Sequence, residues 1–400
     1  MISVEEAEKI ILEQSKDYGI ELASFDTCLH RVLAESIVAD RDFPPFNRVT
    51  MDGIAISYEG FKKGNRSFKI KATQAAGEKP IDIINDDECI EIMTGAVLPA
   101  TTDTVIRYED IEIKNGTAKI NIDEISFNQN IHFKGQDKKQ NEILVETGQI
   151  ITPIVISIAA TVGKTNLLVK KLPKVIIIST GDELVAIAET PTAFQIRRSN
   201  NYTLQAVLQQ YGLHAEMLHL PDEQGVIEKK LEECITGYDV IILSGGVSMG
   251  KFDYVPAALD KLGVKKLFHK VQQRPGKPFW FGKDDGGTFV FAFPGNPVST
   301  FVCFQRFFLP WLKKSLRVEI NKTFAILNED FLFKPSLQYF LQVKLFINEK
   351  GELLAIPLEG NGSGDFANLL QTDAFMELPL ERNEFRKGEV FRIWPFKNLM

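Results

Sequence analysis

Carboxylates, cations and a high density of glycine and proline recur in short polar breaks along the second half of the chain. They are Thr180-Gly181-Asp182-Glu183, Pro221-Asp222, Ser244 to Asp253, Arg274-Pro275-Gly276-Lys277 and Pro294-Gly295-Asn296-Pro297. Gly245, Gly246 and Gly250 let backbone N–H groups approach a ligand closely, as phosphate requires. A helix beginning at Asn296-Pro297 turns free N–H groups and the positive end of its dipole toward an anion. Arg274 and Lys277 add localised positive charge. Asp182, Glu183, Asp222 and Asp253 would repel phosphate unless a hard divalent cation stood between them, and Mg²⁺ bridging carboxylates and phosphate oxygens is the usual solution. The set points to a phosphorylated ligand plus a metal. Each cluster alone also has a purely structural explanation: Asp222 and Asp253 as helix caps, Asn296-Pro297 as a cap with its N1 proline, Lys277 as a solvated turn residue.

The elements between these breaks explain why the clusters should meet. From Lys174 onward, VIIIS, AEMLHL, DVIILSGG and VKKLFHKV read as apolar strands. SNNYTLQAVLQQYG, EQGVIEKKLEECITG, FDYVPAALDKLG and the segment from FPGNPVS to KKSL read as helices, the first capped by Ser199. Alternation of this kind predicts a parallel sheet covered on both faces, with ligands bound beyond the carboxyl ends of the strands. All five clusters fall at such ends, with Asp222 and Asp253 expected on neighbouring strands.

Ser3 with Glu6 forms a capping box that opens a helix to about Lys16. Between Arg41 and Gln136, short strands broken by Gly, Pro, Asn and Asp suggest an inserted β-rich domain. Thr152-Pro153 starts an apolar helix ending near Gly163, and beyond about Leu316 strands alone return in FLQVKLFI and EVFRIWPF. Gly163-Lys164-Thr165 imitates the end of a phosphate-binding loop, but Ile158 stands where that motif needs its first glycine, so the tripeptide reads as a helix C-cap.

With 400 residues, several domains are expected. Acidic residues outnumber basic ones 53 to 46, which argues against nucleic-acid binding. Cys28, Cys89, Cys234 and Cys303 form no C-x-x-C pair and read as reduced thiols of a cytoplasmic protein. The apolar run from Ile151 to Val162 is too short to span a bilayer, and the N-terminus lacks signal-peptide character.

Taken in order, FPPFNRVTMDGIA (43–55), MTGAVLP (93–99), STGDEL (179–184), LSGGVSMGKFDYV (243–255), RPGKPFWFG (274–282), FPGNPVS (293–299) and GNGSGDFANL (360–369) closely resemble the molybdopterin molybdenumtransferase family, the MoeA type, over essentially the whole chain. The resemblance implies a connecting domain (1–42 and 138–172), an inserted β-rich domain (43–137), a molybdopterin-binding α/β domain (173–317) and a C-terminal small β-barrel (318–400). It implies a cytoplasmic homodimer that inserts molybdate into adenylated molybdopterin and releases AMP with Mg²⁺. Transient contact with the molybdopterin adenylyltransferase and acceptor molybdoenzymes would accompany this. The catalytic residues it implies are Asp52, Asp137, Glu183 and Lys277. Ligand contacts would come from Thr94, Thr180, Gly245, Gly246, Ser248, Arg274, Gly276, Pro294, Gly295, Asn296, Pro297 and Ser363. Asp222 and Asp253 would hold the metal, and Asp52 would face the α/β domain of the partner chain.

The chain departs from the family pattern at Asn47, Val49 and Ile54, at His132 and Gln342 where arginine is usual, and at Arg197-Arg198 where Tyr-Asp is common. The two arginines add charge beside the cleft or form a solvated helix entry. Two other functions compete. Nucleotide-processing hydrolases share the α/β unit but lack the Pro-Pro-Phe…Met-Asp-Gly segment. A cofactor-storing or scaffolding module would carry a long linker or extra domain, which this sequence lacks.

Overall fold

The computed structural model describes residues 1–247 and 254–397. The chain forms two compact units, one of residues 1–34, 148–153 and 166–400, the other of residues 35–147 and 154–165.

In the first unit, α1 (Val4–Glu13) is capped by the Ser3 hydroxyl, which accepts the Glu6 N–H. The α/β sheet follows. It comprises β1 (Val175–Thr180), α2 (Asn200–Gln209), β2 (Glu216–Leu220), α3 (Gln224–Gly237), β3 (Val240–Ser244), α4 (Val255–Lys261), β4 (Lys265–His269), β5 (Trp280–Lys283), β6 (Phe289–Phe293) and α5 (Pro297–Cys303). Strand order is β2-β1-β3-β6-β5-β4. Strand period two is visible in the burial. Val175, Ile177, Val240, Ile242, Phe289 and Phe291 enter one core, while Ile176, Ile178, Ile241, Leu243, Val290 and Ala292 enter the other. Burial on both faces is what makes these strands apolar throughout.

The sheet is not wholly parallel, as the sequence pattern suggests. β5 runs antiparallel to both β6 and β4, because Asp284 to Thr288 folds it back as a hairpin. The Asp284 carboxylate accepts the Thr288 N–H at 2.5 Å, and Gly287 takes φ +94°. Asp-Asp-Gly-Gly between apolar runs is the signal for that turn, and the strand reading above passes over it. Since only β5 is reversed, the loop from β4 to β5 still emerges at the edge where β1, β2, β3 and β6 end. Asp222 and Asp253 do not follow neighbouring strands: β1 lies between β2 and β3.

After α5 the helix continues through a π turn at Phe304–Phe308 into Leu309–Ser315. Strands Gln338–Ile347, Leu353–Pro357, Thr323–Leu327, Val390–Pro395 and Ala374–Leu378 then pair in that cyclic order, closing a five-stranded barrel. Arg306, 2% exposed, joins these parts. Its guanidinium donates to Glu8 of α1 at 2.9 Å and to Glu377 of the barrel at 3.2 Å, and stacks over Trp394 at 4.5 Å.

In the second unit, strands Thr104–Arg107, Gly53–Ile56, Glu88–Ile92, Ser67–Gln74, Thr117–Ile120 and Ile111–Lys114 form one sheet in that order, with apolar cores on both faces. Helix Pro153–Thr161 ends at Gly163, φ +76°, the C-cap read above from Gly-Lys-Thr.

Arg306→Ala removes the charged donor shared by Glu8 and Glu377, so a loss of about 3–5 kcal/mol is expected in denaturant unfolding. An unchanged midpoint would reduce the joint to a passive contact.

Candidate functional site

At the carboxyl edge of the α/β sheet, loops from five strands enclose a cavity of about 440 Å³. Gly245 and Gly246 form its floor at φ +102° and +69°. Side chains are excluded there twice over: φ is left-handed, and a Cβ on Gly246 would lie 2.7 Å from the Thr180 hydroxyl and 2.9 Å from Val255. The Gly245 N–H donates to the Phe293 carbonyl, docking this turn on the Pro294-Gly295 loop.

Asn200 knots the edge together. Its amide donates to Ser244 Oγ at 2.8 Å, to the Gly295 carbonyl at 2.7 Å and to Thr300 Oγ1 at 3.3 Å. Sequence reasoning missed it, taking Ser199 as a cap, whereas Ser199 makes no side-chain capping bond. The available signal was a Ser-Asn-Asn run placed where a strand-edge loop enters a helix. Two buried polar atoms in this wall, Thr180 Oγ1 and Asn201 Oδ1, have no hydrogen-bond partner. Unpaired buried groups are rare and mark places where a ligand completes the bonding.

Acidic groups share the cavity. Asp182 accepts the Asp222 N–H at 3.0 Å, and Glu183 and Asp222 line the wall. His219 beside them bonds Ser179 Oγ at 3.1 Å, and its imidazolium form is disfavoured first by burial and then by the charge of Arg198.

A second cavity of about 510 Å³ shares Pro278, Pro294 and Asn296 with the first and extends toward the barrel. Arg274, Gly276, Lys277, Gln342 and Ser363 line it. Gly276, φ +93°, has no room for a Cβ, which would come within 2.6 Å of both Cys303 Sγ and Gln273 Nε2. Gln273 in turn donates to the Pro275 carbonyl at 3.0 Å, so buried groups behind the loop fix Arg274 to Lys277. Asn296 donates to Ser363 Oγ at 2.7 Å, and the Val298 N–H donates to the Ser363 carbonyl, pinning the start of α5 to the barrel loop. Gln342 Oε1 accepts from Thr372 Oγ1 at 3.0 Å and from Asn368 Nδ2 at 3.2 Å.

Of the residues expected at the site, Thr180, Glu183, Asp222, Gly245, Gly246, Pro294, Gly295, Asn296 and Pro297 meet in the first cavity. Arg274, Gly276, Lys277 and Ser363 meet in the second. Ser248 and Asp253 lie outside the described residues. Asp52, Thr94 and Asp137 belong to the other compact unit. There Asp52 accepts the Thr94 N–H at 2.6 Å, and that bond, then the Thr94 hydroxyl, holds its carboxyl below the usual carboxylate range. His132 bonds Asp137 at 2.8 Å through Nε2 and Arg48 at 3.0 Å through Nδ1. Arginine only donates, so Nδ1 accepts and the proton sits on Nε2, facing Asp137.

Among the described residues no three His, Cys, Asp or Glu side chains converge as a metal site. Mg²⁺ held by one or two carboxylates, ligand phosphates and water needs no such convergence.

A doubly covered α/β sheet with a glycine-lined cavity at its carboxyl edge, followed by a closed barrel, defines a multidomain α/β protein with its candidate site at the strand ends. Family models agree: the MoeA N-terminal region (domain I and II) matches residues 2–163, the probable molybdopterin binding domain 176–314, and the MoeA C-terminal region (domain IV) 325–396. The chain is 40% identical to a molybdopterin molybdenumtransferase of Synechocystis over 98% of its length and 99% of that relative. It is 30% identical to one of Haemophilus influenzae over 100% of both chains. The crystal structure of a molybdopterin biosynthesis MoeA protein from Pyrococcus horikoshii is similar with a TM-score of 0.82, 28% identity and 100% coverage of both chains. The chain belongs to the molybdopterin molybdenumtransferase family.

Asn200→Ala removes the amide that bonds the end of β3, the Gly295 loop and α5 at once. A loss of about 1–3 kcal/mol is expected in urea unfolding, the range for leaving buried acceptors unpaired. A smaller change would show that Ser244, Gly295 and Thr300 hold the edge without it.

Proposed function

We propose that this transferase of molybdenum-cofactor biosynthesis inserts molybdate into adenylated molybdopterin and releases AMP. The observation that carries the reading is the pair of adjoining cavities. One offers glycine backbone and carboxylates, the other offers Arg274 and Lys277, and Pro294 and Asn296 form their common wall. The first suits the phosphorylated pterin adenylate, and the second suits the oxyanion substrate.

In this reading the Gly245-Gly246 turn brings backbone to within bonding reach of phosphate oxygens, where a side chain would block approach. Lys277 and Arg274 balance oxyanion charge, and the brace from Gln273 and Cys303 holds them in place before substrate arrives. Asp52, kept ionised by Thr94, and Asp137, oriented by His132, act as acceptors in the second compact unit. Asp222 with Asp253 would hold Mg²⁺. When bound, the ion would neutralise charge on the departing AMP and activate the attacking oxygen. A homodimer, a cytoplasmic location and transient contacts with the adenylyltransferase and acceptor molybdoenzymes complete the proposal. Four buried free cysteines support a reducing compartment, and no helix among the described residues is long and apolar enough to cross a membrane. The match of residues 2–163 to the MoeA N-terminal region weighs against the hydrolases that share only the α/β unit.

The test is AMP release from adenylated molybdopterin with and without molybdate, read by chromatography. Molybdate-dependent release in the presence of Mg²⁺ is expected, and its absence would overturn the reading. Asp253→Asn should abolish Mg²⁺-dependent release in a folded protein, and near wild-type turnover would remove Asp253 from the metal site. Lys277→Ala should weaken binding or slow insertion by about 1–3 kcal/mol, the value of a charged hydrogen bond. The dimer is tested by refolding an equimolar mixture of Asp52→Ala and Asp253→Ala chains. If each site draws these residues from different chains, about a quarter of wild-type activity returns, because half the dimers carry one intact site. No recovery despite subunit exchange would confine the site to one chain.

A further inference from the structure

We propose that Arg197 and Arg198 form a phosphoryl-binding subsite in the first cavity, separate from the Arg274–Lys277 cavity. The inference rests on the pterin-adenylate reading and assigns one part of that substrate to one wall. Both arginines line the cavity together with Asn200, Asn201 and the Gly245-Gly246 turn.

Their backbone is fixed. Leu184–Val185 and Ile196–Arg197 pair as parallel strand segments, and the Arg198 N–H donates to the Val185 carbonyl at 3.1 Å. Their side chains are anchored at Nε, Arg197 to the Glu189 carbonyl at 3.0 Å and Arg198 to the Val185 carbonyl at 3.3 Å. Anchoring by Nε restricts the stem and leaves the Nη edge of each fork for another acceptor. Neither guanidinium forms an ion pair with a carboxylate of the described residues.

That last point decides between two uses of the charge. Glu183 and Asp222 share the same cavity, so arginines placed merely to neutralise them would stand within ion-pair distance. They do not. Both guanidiniums line one cavity with no carboxylate paired to them, so an anion held there draws on two uncompensated charges. A planar fork with two free N–H groups matches phosphate oxygens bidentately. Asn201, 3% exposed, leaves its Oδ1 unpaired in the same wall, an acceptor for a hydroxyl or N–H donor on the same ligand. The chemistry recognised is a phosphoryl group carried beside hydrogen-bond donors, as in a nucleoside monophosphate or a phosphorylated pterin.

The test uses calorimetric titration of the full chain with AMP, inorganic pyrophosphate and molybdate, comparing wild type with Arg197→Gln/Arg198→Gln. The double variant should bind AMP or pyrophosphate at least about tenfold more weakly, as losing charge-assisted bonds requires. Weakening for AMP identifies the nucleotide phosphate as the group held. Weakening for pyrophosphate alone identifies the bridging phosphoryl. Molybdate binding should be unchanged, and Lys277→Ala should give the opposite pattern. Unaltered affinity for both phosphate probes overturns the subsite, as does an equal loss for molybdate. Should the double variant fail to fold, wild-type AMP affinity is measured against salt concentration. A fall with rising salt that is shallower in each single variant supports the proposal, and affinity indifferent to salt overturns it. If AMP binds through this pair while adenylated molybdopterin yields no AMP, the transferase reading fails and the subsite stands. The reverse pair of results fails the subsite alone.

Discussion

Much of the first unit depends on the carboxylate of Glu377. Its Oε1 accepts from Arg306 at 3.2 Å and from Gln338 at 2.5 Å, and its Oε2 accepts from Trp394 Nε1 at 2.7 Å. Arg306 sits on the π turn that prolongs α5, whose first residues wall both cavities. Gln338 begins the barrel strand whose N–H meets the Gln272 carbonyl, and Gln273-Arg274 pairs with Gln338-Tyr339. One acidic side chain thus ties the helix that starts at the site, the loop that carries Arg274 and Lys277, and two strands of the barrel. A buried charge is costly alone, and here the cost is met by donors from three elements, so the elements can be satisfied only in one arrangement.

That node was not legible in the sequence. Arg306 and Glu377 lie far apart in the chain, and nothing in FVCFQRFFLPW signals a π turn rather than an ordinary helix. Local patterns carried the rest of the unit well. Apolar strand runs, helix-period segments and Gly/Pro-rich breaks located the sheet and its ligand edge, because each depends on neighbours close in sequence. The hairpin at Asp284 to Thr288 was also local but lay inside a phenylalanine-rich stretch that reads as continuous core. Strand adjacency was beyond reach: that β1 separates β2 from β3 follows from crossover topology, which no residue near Asp222 records. Asn200 was hidden for a related reason, since its three acceptors come from a strand end, a loop and a helix far along the chain.

In the second unit His132 stands between Arg48 and Asp137. Arg48 is paired in register with His132 on the adjacent strand, and its guanidinium meets the imidazole from behind. The Arg48 guanidinium therefore backs the ring whose Nε2–H meets Asp137. The sequence shows both residues, but their pairing needs the strand register.

Gln342 lines the second cavity in the first unit, and Thr372 and Asn368 engage its carbonyl oxygen. The amide nitrogen faces Gly360, where a Cβ would approach it to 3.3 Å. That wall therefore offers a neutral donor of fixed orientation, leaving Arg274 and Lys277 as the cations of the second cavity. The first cavity holds two, Arg197 and Arg198, at the end of a short strand pair. Cations and oriented neutral donors therefore stand on both sides of the shared Pro294 and Asn296 wall, and the direction of each neutral donor is set by the loops that hold it.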